Sequence, residues 1–159
     1  MHDPGRGRMA GRELGSTARE LQLVAYASKE PSAFAEMLGG LIEANVRANA
    51  KKRQDFDTLA ARVGIWVTDI DEGVTLVFES GRLTVYNGLE PRRTITIRAE
   101  AETVMSLSNL KIGVFGMPVY YDEVGRRVAS KLLSGKLKID GLLPNILTLN
   151  AVTRVFSVQ

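Results

Sequence analysis

The sequence contains no cysteine and a single histidine, His2. The absence of cysteine excludes disulfides, thiolate nucleophiles and cysteine-based metal sites. Because His2 lies in a glycine- and arginine-containing N-terminal segment, the expected folded domain has no histidine to serve as a catalytic base. We therefore predict no catalytic residues, no metal site and no cofactor.

Long hydrophobic runs are also absent. No uncharged apolar stretch reaches roughly 18 residues, so no segment is expected to span a bilayer, and the first residues lack the apolar run of a secretory signal. The hydrophobic content of 45% and charged content of 25% are average for a globular protein. The composition predicts a cytoplasmic protein with one domain and a tail.

The small positive net charge, +3, comes from local clusters of basic residues. The two clusters are Arg6, Arg8, Arg12 and Arg19, and Arg47, Lys51, Lys52 and Arg53. Solvated side chains explain most such clusters, and the alternative is a transient contact with anionic lipid head groups. No aromatic residues are interleaved with the basic ones, so we expect no nucleic-acid binding. We expect residues 1–30 to be disordered or loosely docked, and residues 31–159 to form the domain.

Hydrophobic periodicity predicts the secondary structure of that domain. Segments between residues 63 and 98 alternate with a period of two, which indicates four consecutive strands. The predicted inward residues are Ile65, Val67, Leu76, Phe78, Leu83, Val85, Ile95 and Ile97, and the predicted outward ones are Thr68, Thr75, Thr84 and Thr96. KLKID, between Gly135 and Gly141, predicts a fifth strand, and Gly135 is expected to have a positive φ as the residue ending a helix.

Helical patterns flank these strands on both sides. Ser32 is a predicted N-cap, and further helices are expected over 55–62, 101–109, 122–134 and 143–155. A sheet with one aliphatic face and one polar face is typical of antiparallel pairing, with helices on the aliphatic side. The predicted fold class is α+β: two layers, with a five-stranded, mostly antiparallel mixed sheet and helices on one face.

The C-terminal segment carries more apolar residues than a surface helix needs. A helix that covers a small domain usually has one apolar stripe about 100° wide. Here the apolar residues surround most of the helix: Leu142, Leu143, Ile146, Leu147, Leu149, Val152, Val155, Phe156 and Val158. Three destinations are open for this excess: the core, a partner surface, or an apolar ligand inside the protein.

No short motif specifies a reaction. DIDEG, residues 69–73, lacks the later ligands of a calcium loop and predicts a hairpin turn. The Gly-Lys pair at 135–136 lacks the remainder of a phosphate-binding loop. Asp122 and Glu123 follow Tyr120 and Tyr121, so an enzyme acting on a lipid is one hypothesis, but acidic residues before a helix are more often caps.

The order of four segments resembles the sterol carrier protein 2 family. They are NVRANAKKRQDFDTL, GIWVTDIDEGVTLVFESGRLTVYNG, TITIRAEAETVMSLSNLKIG and LLSGKLKIDGLLPNILTLNAVTRVF. The resemblance covers residues 32–158, and the chain is similar to the single-domain prokaryotic members of the family. It implies a hydrophobic tunnel between sheet and helices that accepts a fatty acyl, sterol-like or isoprenoid ligand. The chain departs from the eukaryotic carriers in a longer loop through Met117 and Tyr121 and in ending without Ser-Lys-Leu.

The resemblance and the apolar pattern together suggest which residues line the tunnel. We predict a wall of Met37, Leu41, Phe78, Ile97, Met105, Phe115, Met117, Leu143, Ile146, Leu147 and Phe156. The predicted function is a non-catalytic intracellular lipid-binding or lipid-transfer module. The alternative is a protein-interaction or accessory subunit of a lipid or quinone biosynthesis pathway, in a homodimer or with another partner, and the sequence leaves its oligomeric state open.

Overall fold

The computed structural model describes residues 22–111, 119 and 121–159, which form one sheet and five α-helices. The strands are β1 (Val24–Tyr26), β2 (Ala61–Val67), β3 (Glu72–Glu79), β4 (Arg82–Asn87), β5 (Ile95–Ala99) and β6 (Lys138–Asp140). The helices are α1 (Ala33–Ala48), α2 (Ala50–Thr58), α3 (Ala101–Ser108), α4 (Glu123–Leu133) and α5 (Ile146–Phe156), and a 3-10 turn (Leu143–Asn145) precedes α5. Within these described ranges, no helix has both the length and the apolar character needed to cross a membrane.

The sheet is mixed and has the order β1-β4-β3-β2-β5-β6. The β1–β4 and β2–β5 pairs are parallel, and the other three pairs are antiparallel. The α+β architecture is as predicted, but the sheet has six strands rather than five. The additional strand is β1, whose three residues are too few to show an alternating pattern. It pairs with β4, which is distant in sequence, so local periodicity carried no signal for it.

The predicted register of the central strands is confirmed. Leu76 of β3 lies opposite Val63 of β2 and Val85 of β4, and Ile65 lies opposite Ile97 of β5. Residues that are directly opposite each other project from the same face of a sheet. The predicted aliphatic residues therefore share one face, and the helices pack against this face.

The second face is less exposed to water than predicted. Thr75 and Thr96 lie on it as expected, yet both are buried because the β4–β5 connection crosses over them. The Thr75 hydroxyl donates to the Gly88 carbonyl at 2.8 Å and accepts from the Glu90 amide at 2.8 Å, and Arg93 Nε donates to the Thr96 hydroxyl at 2.9 Å. Because the crossing segment satisfies their hydroxyls, these threonines can be buried on the second face without any change in strand register.

Side-chain caps determine where the first two helices begin. The Ser32 hydroxyl accepts from the Ala35 amide at 3.1 Å, which confirms the predicted N-cap of α1. The predicted helix over 55–62 is shifted: α2 begins at Ala50, because Asn49 Oδ1 accepts from the Lys51 amide at 3.0 Å. The second basic cluster therefore lies largely within α2, and β2 begins at Ala61.

Two glycines bracket β6 as predicted. Gly135 follows the last residues of α4 and has a φ of +77°, and Gly141 has a φ of +81°. A Cβ at position 141 would approach the Thr94 carbonyl oxygen to 2.5 Å, so glycine is needed there for space as well as for conformation. DIDEG forms the predicted turn between β2 and β3.

The core near α1 and α2 is filled with large side chains. We call this region the packed half and define it by Phe34, Leu38, Phe56, Phe78 and Leu83, all of which are buried. The rings of Phe56 and Phe78 meet edge to face, with their centroids 6.1 Å apart. No comparable ring pair occurs among the described residues toward β6.

Candidate functional site

A cavity of about 340 Å³ lies between the sheet and the helices. The sheet contributes residues of β2, β3, β5 and β6, and the opposite wall comes mainly from α3, α4 and α5. The lining residues are Ile42, Val63, Ile65, Leu76, Ile97, Val104, Leu107, Leu110, Val128, Ala129, Leu132, Leu137, Ile139, Leu142, Ile146, Leu149, Asn150, Val152, Thr153 and Phe156. We call this end of the layer the hollow half.

The cavity wall is almost entirely hydrocarbon. Asn150 and Thr153 are its two polar residues within the described part of the chain, and the Thr153 hydroxyl donates to the Leu149 carbonyl at 2.8 Å. None of the described lining residues carries a charge. The volume of the cavity lies at the lower end of the range of roughly 300–1,000 Å³ that is common for small-molecule sites. The arrangement is suited to holding an apolar molecule by shape and burial, with one amide near its wall.

The cavity reaches the surface at one end of α5. Leu132 at the end of α4 and Ile146 at the start of α5 line the cavity and are also exposed to solvent. Gly141 and Asn145 lie beside this opening and contact Thr94, since Asn145 Nδ2 donates to the Thr94 carbonyl at 3.3 Å. We call this opening, between the end of α4 and the start of α5, the mouth.

Hydrogen bonds fix the opposite, C-terminal end of α5. Asn45 Nδ2 donates to the Val155 carbonyl at 3.2 Å and to the Phe156 carbonyl at 2.9 Å. Arg154 pairs with Asp55 of α2 through Nε at 2.9 Å, and Lys52 Nζ donates to the Ser157 carbonyl. Burial lowers the pKa of Lys52. These contacts hold the α5 wall in place over the sheet.

The apolar excess of the C-terminal segment is divided among three environments. Val155 and Phe156 are buried in the core, and Phe156 also lines the cavity. Leu142, Ile146, Leu149 and Val152 form part of the cavity wall. Leu143, Leu147 and Val158 are exposed. The C-terminal segment therefore serves the core and a cavity, and it leaves Leu143, Leu147 and Val158 at the surface.

The predicted lining residues are distributed in the same way. Ile97, Ile146 and Phe156 line the cavity. Phe78 lies in the packed half, and Leu41 and Met105 are partly buried outside the wall. Met37, Leu143 and Leu147 are exposed and do not line the cavity. Phe115 and Met117, together with most of the 113–121 loop predicted near the mouth, are outside the described residues.

Helical phase explains these exposed positions. On α1 the buried stripe runs through Phe34, Leu38 and Ile42, so Met37 is rotated about 100° away from its neighbour Leu38. On α5 the cavity stripe runs through Ile146, Leu149 and the residues three and four positions further on, which leaves Leu147 outside. Composition identified an apolar segment, but only the packing of α5 against the sheet determines which of its side chains face inward.

Sequence reasoning missed the contribution of α4 to the wall. Val128 and Leu132 are four residues apart and line the cavity together with Ala129. The spacing was visible in the sequence, because Val124, Val128 and Leu132 repeat every four residues through an otherwise charged helix. Asn150 was also missed, since a single amide in an apolar run carries no distinctive spacing.

The acidic residues after the tyrosines have structural partners. Asp122 Oδ1 accepts from the Gly125 amide at 2.7 Å and caps α4, and Glu123 pairs with Arg127 one turn later. Tyr121 is 83% exposed, and Tyr120 is outside the described residues. Asp122, Glu123 and Tyr121 do not line the cavity. Within the described ranges, no group of three or more histidine or acidic side chains could hold a metal ion.

Comparison with known proteins gives no sequence match but does identify the fold. No family model matches the chain, and no curated protein matches it. The solved structure of the UbiJ-SCP2 ubiquinone synthesis protein has a TM-score of 0.54 at 16% identity, covering 77% of this chain and 90% of that one.

Two further solved structures are similar at lower scores. The crystal structure of sterol carrier protein 2 has a TM-score of 0.44 at 14% identity, over 74% of this chain and 91% of that one. A conserved hypothetical protein of Thermus thermophilus has a TM-score of 0.42 at 13% identity, over 83% and 92%. With its mixed sheet, one-sided helical layer and internal cavity, the chain has the sterol carrier protein 2-like fold.

Proposed function

We propose that the protein is a non-catalytic lipid-binding module that holds one fatty acyl, sterol-like or isoprenoid ligand in the cavity of the hollow half. The observation that carries the proposal is the cavity of about 340 Å³ with its hydrocarbon wall. Uncharged apolar lining favours ligands whose bound part is a hydrocarbon chain or ring system.

Energetics support an occupied cavity. Unfilled volume in a protein core costs stability, by about 24 cal/mol per Å³ in a series of core truncations. A buried methylene contributes about 0.8 kcal/mol on leaving water. A chain of several methylenes thus offsets both the cavity cost and part of the entropy that it loses on binding. An apolar ligand therefore stabilises the folded protein as well as binding to it.

The similar structure that shares the fold is named a ubiquinone synthesis protein. That name supports an isoprenoid tail among the ligand classes, and an accessory role that presents the tail to an enzyme. The second candidate function is that of a protein-interaction subunit. It is favoured by the exposed Leu133, Leu143 and Leu147, because exposed large apolar side chains are characteristic of interfaces.

Two tryptophan variants on the same helix test the lipid-binding proposal. Leu149 lines the cavity, whereas Leu147 is 78% exposed and does not. Leu149→Trp places a larger ring system in the cavity and should weaken the binding of a fluorescent fatty acid at least roughly tenfold, because one displaced chain segment of two methylenes is worth more than 1.4 kcal/mol. Leu147→Trp is the matched control and should bind as the parent does.

Native mass spectrometry of protein purified from a cellular host, followed by organic extraction, identifies the ligand itself. We expect a lipid in the parent and in Leu147→Trp, and a depleted or shorter one in Leu149→Trp, with circular dichroism confirming that each variant is folded. Equal binding by both tryptophan variants would assign the ligand to another site. Failure to recover any lipid, together with no fluorescent fatty acid binding, would contradict the proposal.

A further inference from the structure

The lining residues of the cavity differ in their exposure to solvent. Leu132 and Ile146, at the mouth, are exposed. Ile42, Leu76 and Phe156 also line the cavity, but each is buried, with at most 7% of its surface exposed. These three residues belong to α1, β3 and α5 respectively. We call these three residues the floor.

The floor lies at the opposite end of α5 from the mouth. Just before α5 begins, Asn145 Nδ2 donates to the carbonyl of Thr94, the residue that precedes β5. At the end of α5, Asn45 Nδ2 donates to the Phe156 carbonyl at 2.9 Å. Asn45 is three residues after Ile42 and therefore lies on the same side of α1. The helix thus forms the wall of the cavity from the mouth to the floor.

Two dimensions of the fold give the distance from the mouth to the floor. Phe156 is ten residues after Ile146, and an α-helix rises about 1.5 Å per residue, so this stretch of α5 is about 15 Å long. The lining strands follow one another in the order β6-β5-β2-β3, and three strand spacings of about 4.8 Å give about 14 Å. The two distances agree because α5 begins beside β5 and ends against α1 and α2, and α2 packs on β3 through Phe56 and Phe78.

The packed half closes the space behind the floor. Leu38 lies one helical turn before Ile42 on α1, and Phe78 lies two residues after Leu76 on the same face of β3. Both Leu38 and Phe78 are buried, and neither lines the cavity. Close-packed side chains leave little space for another group. A hydrocarbon chain that reaches the floor therefore cannot extend further into the domain.

A fatty acid should enter this cavity with its methyl end first. None of the described lining residues carries a charge, and burial of an ionised carboxylate without a partner is costly. The carboxylate should therefore stay in water at the mouth while the chain points toward the floor. Carbon–carbon bonds of about 1.52 Å at angles of about 111° advance an extended chain by about 1.25 Å per carbon. A depth of about 15 Å then corresponds to about twelve carbons.

We propose that the cavity holds a single acyl chain of up to about twelve carbons, and that Ile42, Leu76 and Phe156 set this limit. The inference rests on the proposed function, because it specifies the size of the ligand that the cavity accepts. Carbons beyond this length stay in water at the mouth and contribute little to binding. The bonds of Asn45 and the ion pair of Arg154 with Asp55 hold the end of α5, so Phe156 does not retreat to admit a longer chain.

A series of saturated fatty acids from octanoate to octadecanoate tests the limit. Displacement of a fluorescent fatty acid from the delipidated parent gives a dissociation constant for each chain length. Up to dodecanoate, each added carbon should strengthen binding roughly fourfold, as expected for a buried methylene. From tetradecanoate to octadecanoate the affinity should change little, because the additional carbons are not buried.

Two floor variants should move the chain length at which the affinity stops rising. Phe156→Leu removes a ring from the floor, so the plateau should begin about two carbons later than in the parent. Ile42→Phe adds a ring to the floor, so the plateau should begin about two carbons earlier, while octanoate binds as it does to the parent. Because the two shifts have opposite signs, a general loosening of the core cannot produce both.

Phe34→Leu is the matched control for Phe156→Leu. Phe34 and Phe156 are both 7% exposed, but Phe34 lies in the packed half and does not line the cavity. The control should lose stability as Phe156→Leu does, yet keep the plateau at the chain length of the parent. Circular dichroism checks that every variant is folded.

The outcomes distinguish this inference from the proposed function. If the affinity of the parent keeps rising roughly fourfold per carbon up to octadecanoate, the depth limit is wrong and lipid binding still holds. A plateau that moves in neither floor variant would overturn the assignment of the limit to these residues. A parent that binds no fatty acid of any length would instead contradict the proposed function.

Discussion

The packed half and the hollow half lie under the same sheet, yet they are built from different side chains. Phe34, Phe56 and Phe78 fill the packed half and make it solid. The described wall of the hollow half contains one phenylalanine, Phe156, two polar residues, Asn150 and Thr153, and otherwise aliphatic residues. The same sheet face therefore supports a dense core at one end and a cavity at the other.

The difference shows how a small domain carries a cavity and still folds. The dense end supplies most of the aromatic burial, and α1 spans both regions because Leu38 packs in one while Ile42 lines the other. Since close packing at one end stabilises the sheet and α1, the other end can lose contacts without unfolding the domain. The predictions below test whether stability and ligand binding are separated in this way.

The largest expected effect comes from the same truncation made in both halves. Leu38 in the packed half and Leu137 on the cavity wall are equally buried. Leu38→Ala should lower the free energy of unfolding by about 4 kcal/mol, because it opens a new void among well-packed neighbours. Leu137→Ala should cost about 2 kcal/mol in the ligand-free protein, since one side of Leu137 already faces empty space. Urea denaturation measures both values, and equal costs would mean that the hollow half is packed as densely as the other.

A bound ligand should stabilise the folded protein by filling the cavity of the hollow half. Saturation at about 100 times the dissociation constant adds roughly 2.7 kcal/mol to the free energy of unfolding when a ligand binds only the folded state. A fatty acid should therefore raise the melting temperature of the delipidated parent, and raise it less for Leu149→Trp. The parent should show the same shift whether the ligand is added or retained from the host. An unchanged melting temperature at saturation would show that the ligand does not bind selectively to the folded state.

The smallest expected effect concerns two neighbouring glycines of α1. A Cβ at Gly40 meets no atom within 4 Å, so Gly40→Ala should stabilise the helix by about 0.5–1 kcal/mol. A Cβ at Gly39 would lie 2.5 Å from Tyr26 Oη, so Gly39→Ala should displace Tyr26 and lower stability. Thermal unfolding compares the two, and neither variant should alter fatty acid binding. A stabilised Gly39→Ala would show that the contact with Tyr26 is loose.

Sequence periodicity predicted the elements whose side chains repeat over many residues. The central strands and their register followed from alternation at positions such as Leu76 and Val85, and Ser32 was recognisable as a cap. β1 was not predicted as a strand because its partner is remote in the chain and its pattern is three residues long. The start of α2 was misplaced because Asn49 caps a helix that is mostly charged.

The candidate site was harder to predict than the fold. An apolar run in the sequence predicts burial, but it does not show whether a given side chain packs in the core, lines a cavity or remains exposed. Phe78 and Phe156 have the same chemistry, and only the tertiary arrangement puts one against Phe56 and the other on the cavity. A cavity forms where side chains from several elements leave the space between them unfilled. No local sequence pattern predicts this, because those elements are distant in the chain.

The unequal anchoring of α5 implies that its two ends open with different frequency. The C-terminal end is held by Asn45 and by the ion pair of Arg154 with Asp55, whereas the N-terminal end follows a short 3-10 turn and lacks a side-chain cap bond. Terminal turns with few tertiary bonds fray at low free energy, while strongly bonded ones open only with the whole domain. Fraying of the turn at Ile146 would widen the mouth and leave the rest of the helix seated. Under the proposed lipid-binding function, we expect the rate of ligand exchange to depend on this one helical turn and to be independent of global stability.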